Sequence, residues 1–515
     1  MNERSESSPA PRRPACCTSG EGTAELSRRG FLELAGGAAL LTGLSWSILK
    51  AAEPEAALVP ARQPLVVKPI LSYDTPTRRN QTSWRSWGGI HTPEAATEEV
   101  ARIQGELDKL RAAADFPVTF LPVSAVRGGG EVANIQDAAT ADAILYYAAG
   151  SNAFDPIAKL GKPTIVFLRH RSGPVYLWYE IVSPVHLRRF SSDQRVVQGL
   201  DDQDVVVDSQ DELLWRLRSL GGLKNTLGAR IVAIGGPGGW GVGGKAVDLA
   251  VKKWKLDIQP VSYDELSKLI QAARDDQAAV ALAKQRAAEY LKDQTLKLET
   301  NPTFVENAFL LEQVFRGLMA RAKCRAITVN SCMGTIMPIA QTTACLTLSL
   351  LNDAGYMAFC ESDFVVIPAG ILLCSISGRP NFLNDPTYPH DGVITLAHCT
   401  APRKLDGRNS EPVRILTHFE SDYGAAPKVE MHKGQRVTNI IPDFNEARWV
   451  GLGAEIIDAP FLPICRSQID VQFKVDSLKL AERMPGFHWM TVYGDYLRET
   501  GYALKKIPIT WENLV

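Results

Sequence analysis

The sequence has no surplus of charge of either sign: 56 Lys and Arg stand against 57 Asp and Glu in 515 residues. A surface that holds nucleic acid or an anionic membrane electrostatically needs a clustered basic excess. The balance therefore predicts no nucleic-acid partner. Long apolar runs are also missing. The softest candidate, Leu34 to Ile48, is short and is interrupted by Gly36, Gly37 and Gly43, whereas a membrane-spanning helix needs about 20 strongly apolar residues. Cysteine shows no paired spacing. Of the nine, Cys16 and Cys17 lie close to the start and the others are scattered singly, mostly in apolar runs. Cys345, Cys360 and Cys374 read as small buried hydrophobes, and disulfides are not required. No internal repeat stands out.

What is present is enough length and apolar content, 45% hydrophobic, for two or three domains, each with its own core. Residues 1 to 64 differ in kind from the rest. A polar stretch with Arg12 and Arg13 precedes Ser27-Arg28-Arg29-Gly30-Phe31-Leu32 and then the soft apolar run. This order resembles a twin-arginine export signal, which implies an exported, periplasmic protein without a stable membrane span after processing. A protein exported already folded would fold first in a reducing cytoplasm.

From 65 to about 210, short apolar runs at Leu65 to Leu71, Val118 to Val123, Ala143 to Tyr147 and Thr164 to Leu168 alternate with helical stretches. The clearest helix runs from Thr92, as N-cap, through Pro93 to about Ala113. This is the pattern of a parallel sheet covered by helices. A second such unit, assigned to 211 to 325, has a strand at Ile231 to Ile234, a helix near Ala246 to Lys255 and a strand ending near Val261. A charged, Ala-rich helical stretch follows to about Thr295. Its turn, Gly235-Gly236-Pro237-Gly238-Gly239-Trp240-Gly241, follows a strand as dinucleotide-binding loops do. Pro237 removes a backbone donor and no acidic residue is placed for a ribose, so a tight structural turn is the expected role. From 326 to 515 the pattern becomes a C-terminal α/β domain with a β-rich, barrel-like part from about Val413 to Val475. The expected fold is thus α/β, with two Rossmann-like units ahead of a catalytic domain.

The chemistry concentrates in that last part. Tyr356 to Cys360 reads as a strand ending at Glu361, Phe364 to Ser377 as a buried helix closed by Gly378, and Asn381 to Leu383 as a strand leading to Asp385. If both strands lie in one parallel sheet, the two carboxylates emerge at the same edge, about 5 Å apart. The next strand, Val393 to Ala397, ends in His398, so three successive strand ends each deliver a metal-type ligand. Charged groups in such apolar surroundings are costly unless paired or bound to a cation. Capping of helices and turns is the competing role for Glu361 and Asp385.

The stretch Phe359-Cys360-Glu361-Ser362-Asp363 through Ser377-Gly378-Arg379-Pro380-Asn381-Phe382-Leu383-Asn384-Asp385 resembles the metal-binding segment of the L-fucose isomerase family and its L-arabinose isomerase relatives. The resemblance covers roughly residues 325 to 495. It implies that Glu361 and Asp385 ligate Mn2+ and act as the acid/base pair. It also implies a third ligand from a C-terminal histidine, matched by His488 through its spacing to Tyr493-Gly494. Leu396-Ala397-His398-Cys399-Thr400 looks like a subgroup other than the well-known fucose isomerases, with His398 as a fourth ligand, as a histidine is in the arabinose isomerases; the sugar is therefore left open. A homo-oligomer is implied by the same resemblance.

Moving a carbonyl between C1 and C2 means removing a proton from carbon, which leaves a cis-enediolate whose charge a hard cation stabilises. Oxygen-rich ligation with imidazoles suits manganese or another hard divalent cation, while Cys360 and Cys399 beside the ligand candidates keep zinc open. One carboxylate moves the carbon proton and the other the hydroxyl proton. Trp84, Arg85 and Trp87 follow the first strand at the edge where α/β proteins bind ligands, and their rings suit the C–H faces of a sugar. His418, with Glu420 and Asp422, forms a polar cluster that either lines the sugar pocket or belongs to a solvated hairpin. His91, His170, His186, His390 and His432 have no second ligand at motif spacing and are expected to be structural or at the surface. The function expected is aldose-ketose isomerisation of a monosaccharide. The rivals are a sugar epimerase using the same site and a non-catalytic exported carbohydrate-binding protein.

Overall fold

The computed structural model describes residues 61–77, 79–81, 89–150, 153–176 and 200–514. Most of the export-signal segment, together with Trp84, Arg85, Trp87 and His186, lies outside the described residues.

The first unit comprises β1 (Leu65–Ser72), α1 (Pro93–Ala113), β2 (Val118–Phe120), β3 (Ser124–Val126), β4 (Ala143–Ala148), α2 (Phe154–Ala158), β5 (Thr164–Leu168), β6 (Val205–Val207) and α3 (Gln210–Thr226). Its sheet has the order β2-β1-β4-β5-β6, with β3 also on β1, and every pairing is parallel. β4 and β5 are buried at every position, which is why they read as unbroken apolar runs rather than alternating ones. α1 starts as its sequence dictates: Thr92 accepts from the Ala95 N–H and Pro93 opens the first turn.

The second sheet takes β7 (Arg230–Ile234), followed by α4 (Gly244–Trp254), β8 (Asp257–Val261), α5 (Tyr263–Asp275), α6 (Gln277–Tyr290), β9 (Leu296–Leu298), α7 (Pro302–Ala322), β10 (Ala326–Val329), α8 (Cys332–Ala340), α9 (Ala344–Asp353) and β11 (Met357–Cys360). Four of these strands form a parallel sheet of order β11-β10-β7-β8. The boundary expected at 325/326 thus falls inside this sheet. The charged stretch after Val261 is two helices rather than one, because the Asp276 side chain caps a new N-terminus by accepting from Ala278 and Ala279.

After α10 (Ile367–Ser377) come β12 (Phe382–Pro386), β13 (Val393–His398), β14 (Val413–Leu416), β15 (Ala426–Val429), β16 (Arg436–Pro442), β17 (Arg448–Asp458), β18 (Ser467–Gln472), α11 (Ser477–Arg483), β19 (Trp489–Tyr493), α12 (Leu497–Lys505) and β20 (Thr510–Leu514). Six of these strands close a barrel in the order β16-β19-β12-β13-β18-β17, every pair antiparallel, with β17 returning to β16. β20 adds to β17 in parallel. The β-rich part therefore begins at Phe382, earlier than the sequence pattern marks it. The final segment, β19, α12 and β20, is strand, helix, strand.

α10 has almost no polar face because it has no solvent face. It packs on α3, β11, β16 and β19, so it joins the first unit, the second sheet and the barrel, and Ile367, Ile371, Leu372, Leu373 and Ile376 are all buried. Burying each such side chain is worth about 1.5–3 kcal/mol. Its end is a left-handed Gly378, as its sequence requires. Among the described residues no single helix is long and apolar enough to cross a membrane.

Candidate metal centre

Glu361 and Asp385 do converge, but not as neighbours in one sheet. Glu361 follows β11, an edge strand of the parallel sheet, whereas Asp385 lies in β12, inside the barrel. The expectation of three successive parallel strand ends is corrected accordingly. β12 runs antiparallel to both of its barrel neighbours, with Asp385 opposite Ala397 on β13 and Asn384 opposite Trp489 on β19. This register brings His398 and His488 to the same end of three adjacent strands as Asp385. The end of β11 then delivers Glu361 to them from the other sheet.

His488 Nε2 lies 3.2 Å from Glu361 Oε2 and 3.2 Å from Asp385 Oδ1. His398 Nε2 lies 3.5 Å from Glu361 Oε1, and its Nδ1 is 3.1 Å from Thr400 Oγ1. His488 Nδ1 is 2.6 Å from Asp363 Oδ2. Asp363 is 2% exposed and has no role in the sequence reading. A carboxylate on Nδ1 fixes the proton there in the neutral ring and turns the Nε2 lone pair outward, as in carboxylate–histidine–metal arrangements. Nε2 is buried and completes no hydrogen bond, although two carboxylate oxygens stand beside it. Three lone-pair-bearing atoms facing one point repel one another unless a proton or a cation sits among them, and this donor set fits a divalent metal. Two carboxylates and two imidazoles suit manganese; Cys360, whose sulfur joins Glu361 and His398 in a group with ligand atoms within 4.8 Å, is the softer donor that keeps zinc in the argument.

The electrostatics follow from the same contacts. Burial alone would raise the Glu361 pKa, but the adjoining imidazoles of His398 and His488 hold it well below the usual carboxylate range. For His488, burial works to lower the pKa, and Asp363, Asp385 and Glu361 together push it well above that of a free imidazole. The backbone here is strained: Glu361 and the next residue, Ser362, have φ of 64° and 46°. Two consecutive left-handed non-glycine residues cost about 1–2 kcal/mol each, a cost that recurs at functional sites.

The Gly-rich turn after β7 braces this strained loop. The Gly238 N–H donates to the Ser362 carbonyl (3.2 Å), the Phe364 N–H returns a bond to the Gly238 carbonyl (3.1 Å), and the Trp240 N–H donates to Asp363 Oδ1 (3.0 Å). Donors that a phosphate cradle would need are thereby spent on the loop, in keeping with a structural turn. The turn also sets Trp240 in place. Its ring stacks on Phe487 at 4.2 Å and 17° and meets the edge of His488 at 6.3 Å. Trp240 is 37% exposed, so an aromatic surface stands beside the donors. Neither ring was singled out by sequence for this place. His418 is brought elsewhere, to a buried group with Cys345 and Cys399; Glu420 and Asp422 are exposed on the turn that carries it, and so are His170, His390 and His432 on their own segments.

No protein-family model matches the chain, and no curated protein matches it.

Proposed function

We propose that the chain is a metal-dependent aldose-ketose isomerase that acts on a free monosaccharide through a cis-enediolate. The observation that carries this reading is His488, pinned by Asp363 at Nδ1, with Nε2 set beside one oxygen of Glu361 and one of Asp385. A bound hard divalent cation, Mn2+ by the sequence resemblance, supplies charge stabilisation to the two vicinal oxygens of the sugar. The chain's own residues do the rest. Glu361 and Asp385 share the proton work, one at carbon and one at hydroxyl oxygen, each contribution being worth about 100- to 10,000-fold in rate. Asp363 orients His488, and His398 holds the far oxygen of Glu361. The exposed Trp240 ring offers a C–H face of the sugar an apolar platform within reach of the proton-moving groups.

On this reading the two parallel sheets are Rossmann-like units ahead of a C-terminal catalytic domain, the enzyme is a homo-oligomer, and residues 1 to 64 direct folded, metal-loaded protein out of the cytoplasm. Loading before export avoids competition from copper and zinc, which outbid manganese at most sites. The test is to purify the mature protein, measure its metal, and follow ketose formation from a panel of aldoses with added manganese. Absence of both metal and turnover would overturn the proposal. Exchange of carbon-bound hydrogen in heavy water without net isomerisation would assign the same site to epimerisation instead.

A further inference from the structure

A second group of metal-type donors lies beside the first. Cys345, Cys399 and His418 each place a ligand atom within 4.8 Å of the other two, and all three are buried. Cys465 adjoins the group, its thiol in contact with that of Cys399. The three cysteines share one small buried cluster with Ala397 and Ala426. The four residues come from four distant segments: the first turn of α9, the residue after β13, the tight turn between β14 and β15, and the stretch before β18.

Packing as small hydrophobes accounts for single buried cysteines such as Cys374. It does not account for a buried imidazole and two buried thiols that bring their ligand atoms to one point. His418 Nδ1 lies 3.3 Å from Ser421 Oγ. The turn that carries it is fixed at both ends: the His418 N–H donates to the Tyr423 carbonyl at 3.0 Å, and the Arg466 guanidinium donates to the Thr417 carbonyl at 2.7 Å. Four ligands placed tetrahedrally at ~2.3 Å from zinc stand about 3.8 Å apart; Cys345, Cys399 and His418 already hold their ligand atoms within 4.8 Å of one another.

We propose that Cys345, Cys399, Cys465 and His418 form a closed structural zinc site, separate from the carboxylate centre. Three thiolates and one imidazole select zinc over the harder cations suited to Glu361 and Asp385. With four protein ligands and no water-facing position, the site binds rather than catalyses. Zinc entry releases the thiol protons to solvent and ties α9, two barrel strands and the 417–424 turn together. Because Cys399 follows His398 directly, the same tie fixes a strand end that serves the carboxylate centre.

The test uses the full chain with cobalt as the probe metal. Expected is intense thiolate-to-cobalt charge-transfer absorption that saturates with one cobalt per chain beyond any held at the carboxylate centre, displaced by zinc, retained in Glu361→Gln and lost in Cys399→Ser and in His418→Phe. Should those variants fail to fold, the unaltered protein decides the matter. Zinc should slow alkylation of Cys345, Cys399 and Cys465 selectively, relative to Cys374, and a chelator should reverse the effect. Absence of a thiolate band, equal alkylation of all four thiols with and without zinc, or a Cys345–Cys399 disulfide in the purified protein would each overturn the proposal.

Discussion

His398 and Cys399 are consecutive, yet they serve different donor sets. His398 faces Glu361, in a group whose carboxylates keep 14% and 12% of their side-chain surface exposed. Cys399 faces Cys345 and Cys465, in a group sealed from solvent. Oxygen donors with access to solvent leave room for a substrate to reach the cation, whereas sulfur donors without access leave room only for the cation. On the proposed readings, one peptide bond thus separates a centre that reacts from one that holds. A third buried group offers indoles in place of imidazoles. Glu446, 1% exposed, accepts from the indole N–H groups of Trp254 and Trp449 at 3.1 Å each, and burial pushes its carboxyl up to about 8. Glu361, facing two imidazoles, is pushed the opposite way.

The sharpest way to break this comparison is Glu361→Gln. Turnover should fall by about 100- to 10,000-fold while the cobalt–thiolate spectrum stays unchanged; joint loss of both would make the two centres one. Next is the pair of carboxyls. Glu446 has a folded pKa raised above its unfolded value, so its contribution is fully present below about pH 4.5 and is lost as pH rises through about 8. Urea unfolding at pH 5 and pH 8 should show a decline of roughly 3 kcal/mol from this group, and Glu446→Gln, which keeps a neutral acceptor for the indoles, should flatten it. Asp363→Asn should weaken metal binding at the carboxylate centre by about 10- to 100-fold by releasing the His488 tautomer, read by metal titration, with zinc uptake at the thiols unaffected. The smallest effect belongs to Trp240→Ala, which should raise KM about two- to tenfold with kcat nearly intact, the loss of one stacking face.

Glu361, Asp385 and His398 were marked in the sequence by their places at the ends of apolar strands, and His488 by the resemblance through its spacing to Tyr493-Gly494. Their route to one another was not. A strand–helix–strand pattern says that chain direction repeats, not which sheet receives the second strand. Here α10 is buried on every side, and the chain leaving Gly378 enters the barrel instead of returning to β11. Asp363 was within sight, two residues after Glu361, but its partner lies 125 positions on, and no local pattern marks such a pairing. The same holds for Trp240 against Phe487, and for four thiol-site residues on four segments. The Gly-rich turn was read as structural, and its service to the strained loop at 361–363 depends on the bridge between Gly238 and Asp363.

The barrel's closure also sets a timetable for synthesis. β12 through β18 all come between Glu361 and His488 in the chain, and β19 must pair with both β12 and β16 before His488 reaches its place. A nascent chain emerging from the ribosome therefore carries Glu361, Asp385 and His398 for some time without the imidazole that completes them. Contacts of such long sequence separation form late. If the proposed metal binds here, its capture is consequently a maturation event of the finished polypeptide, and any quality check that waits for the bound cation is also a check that translation ran past His488.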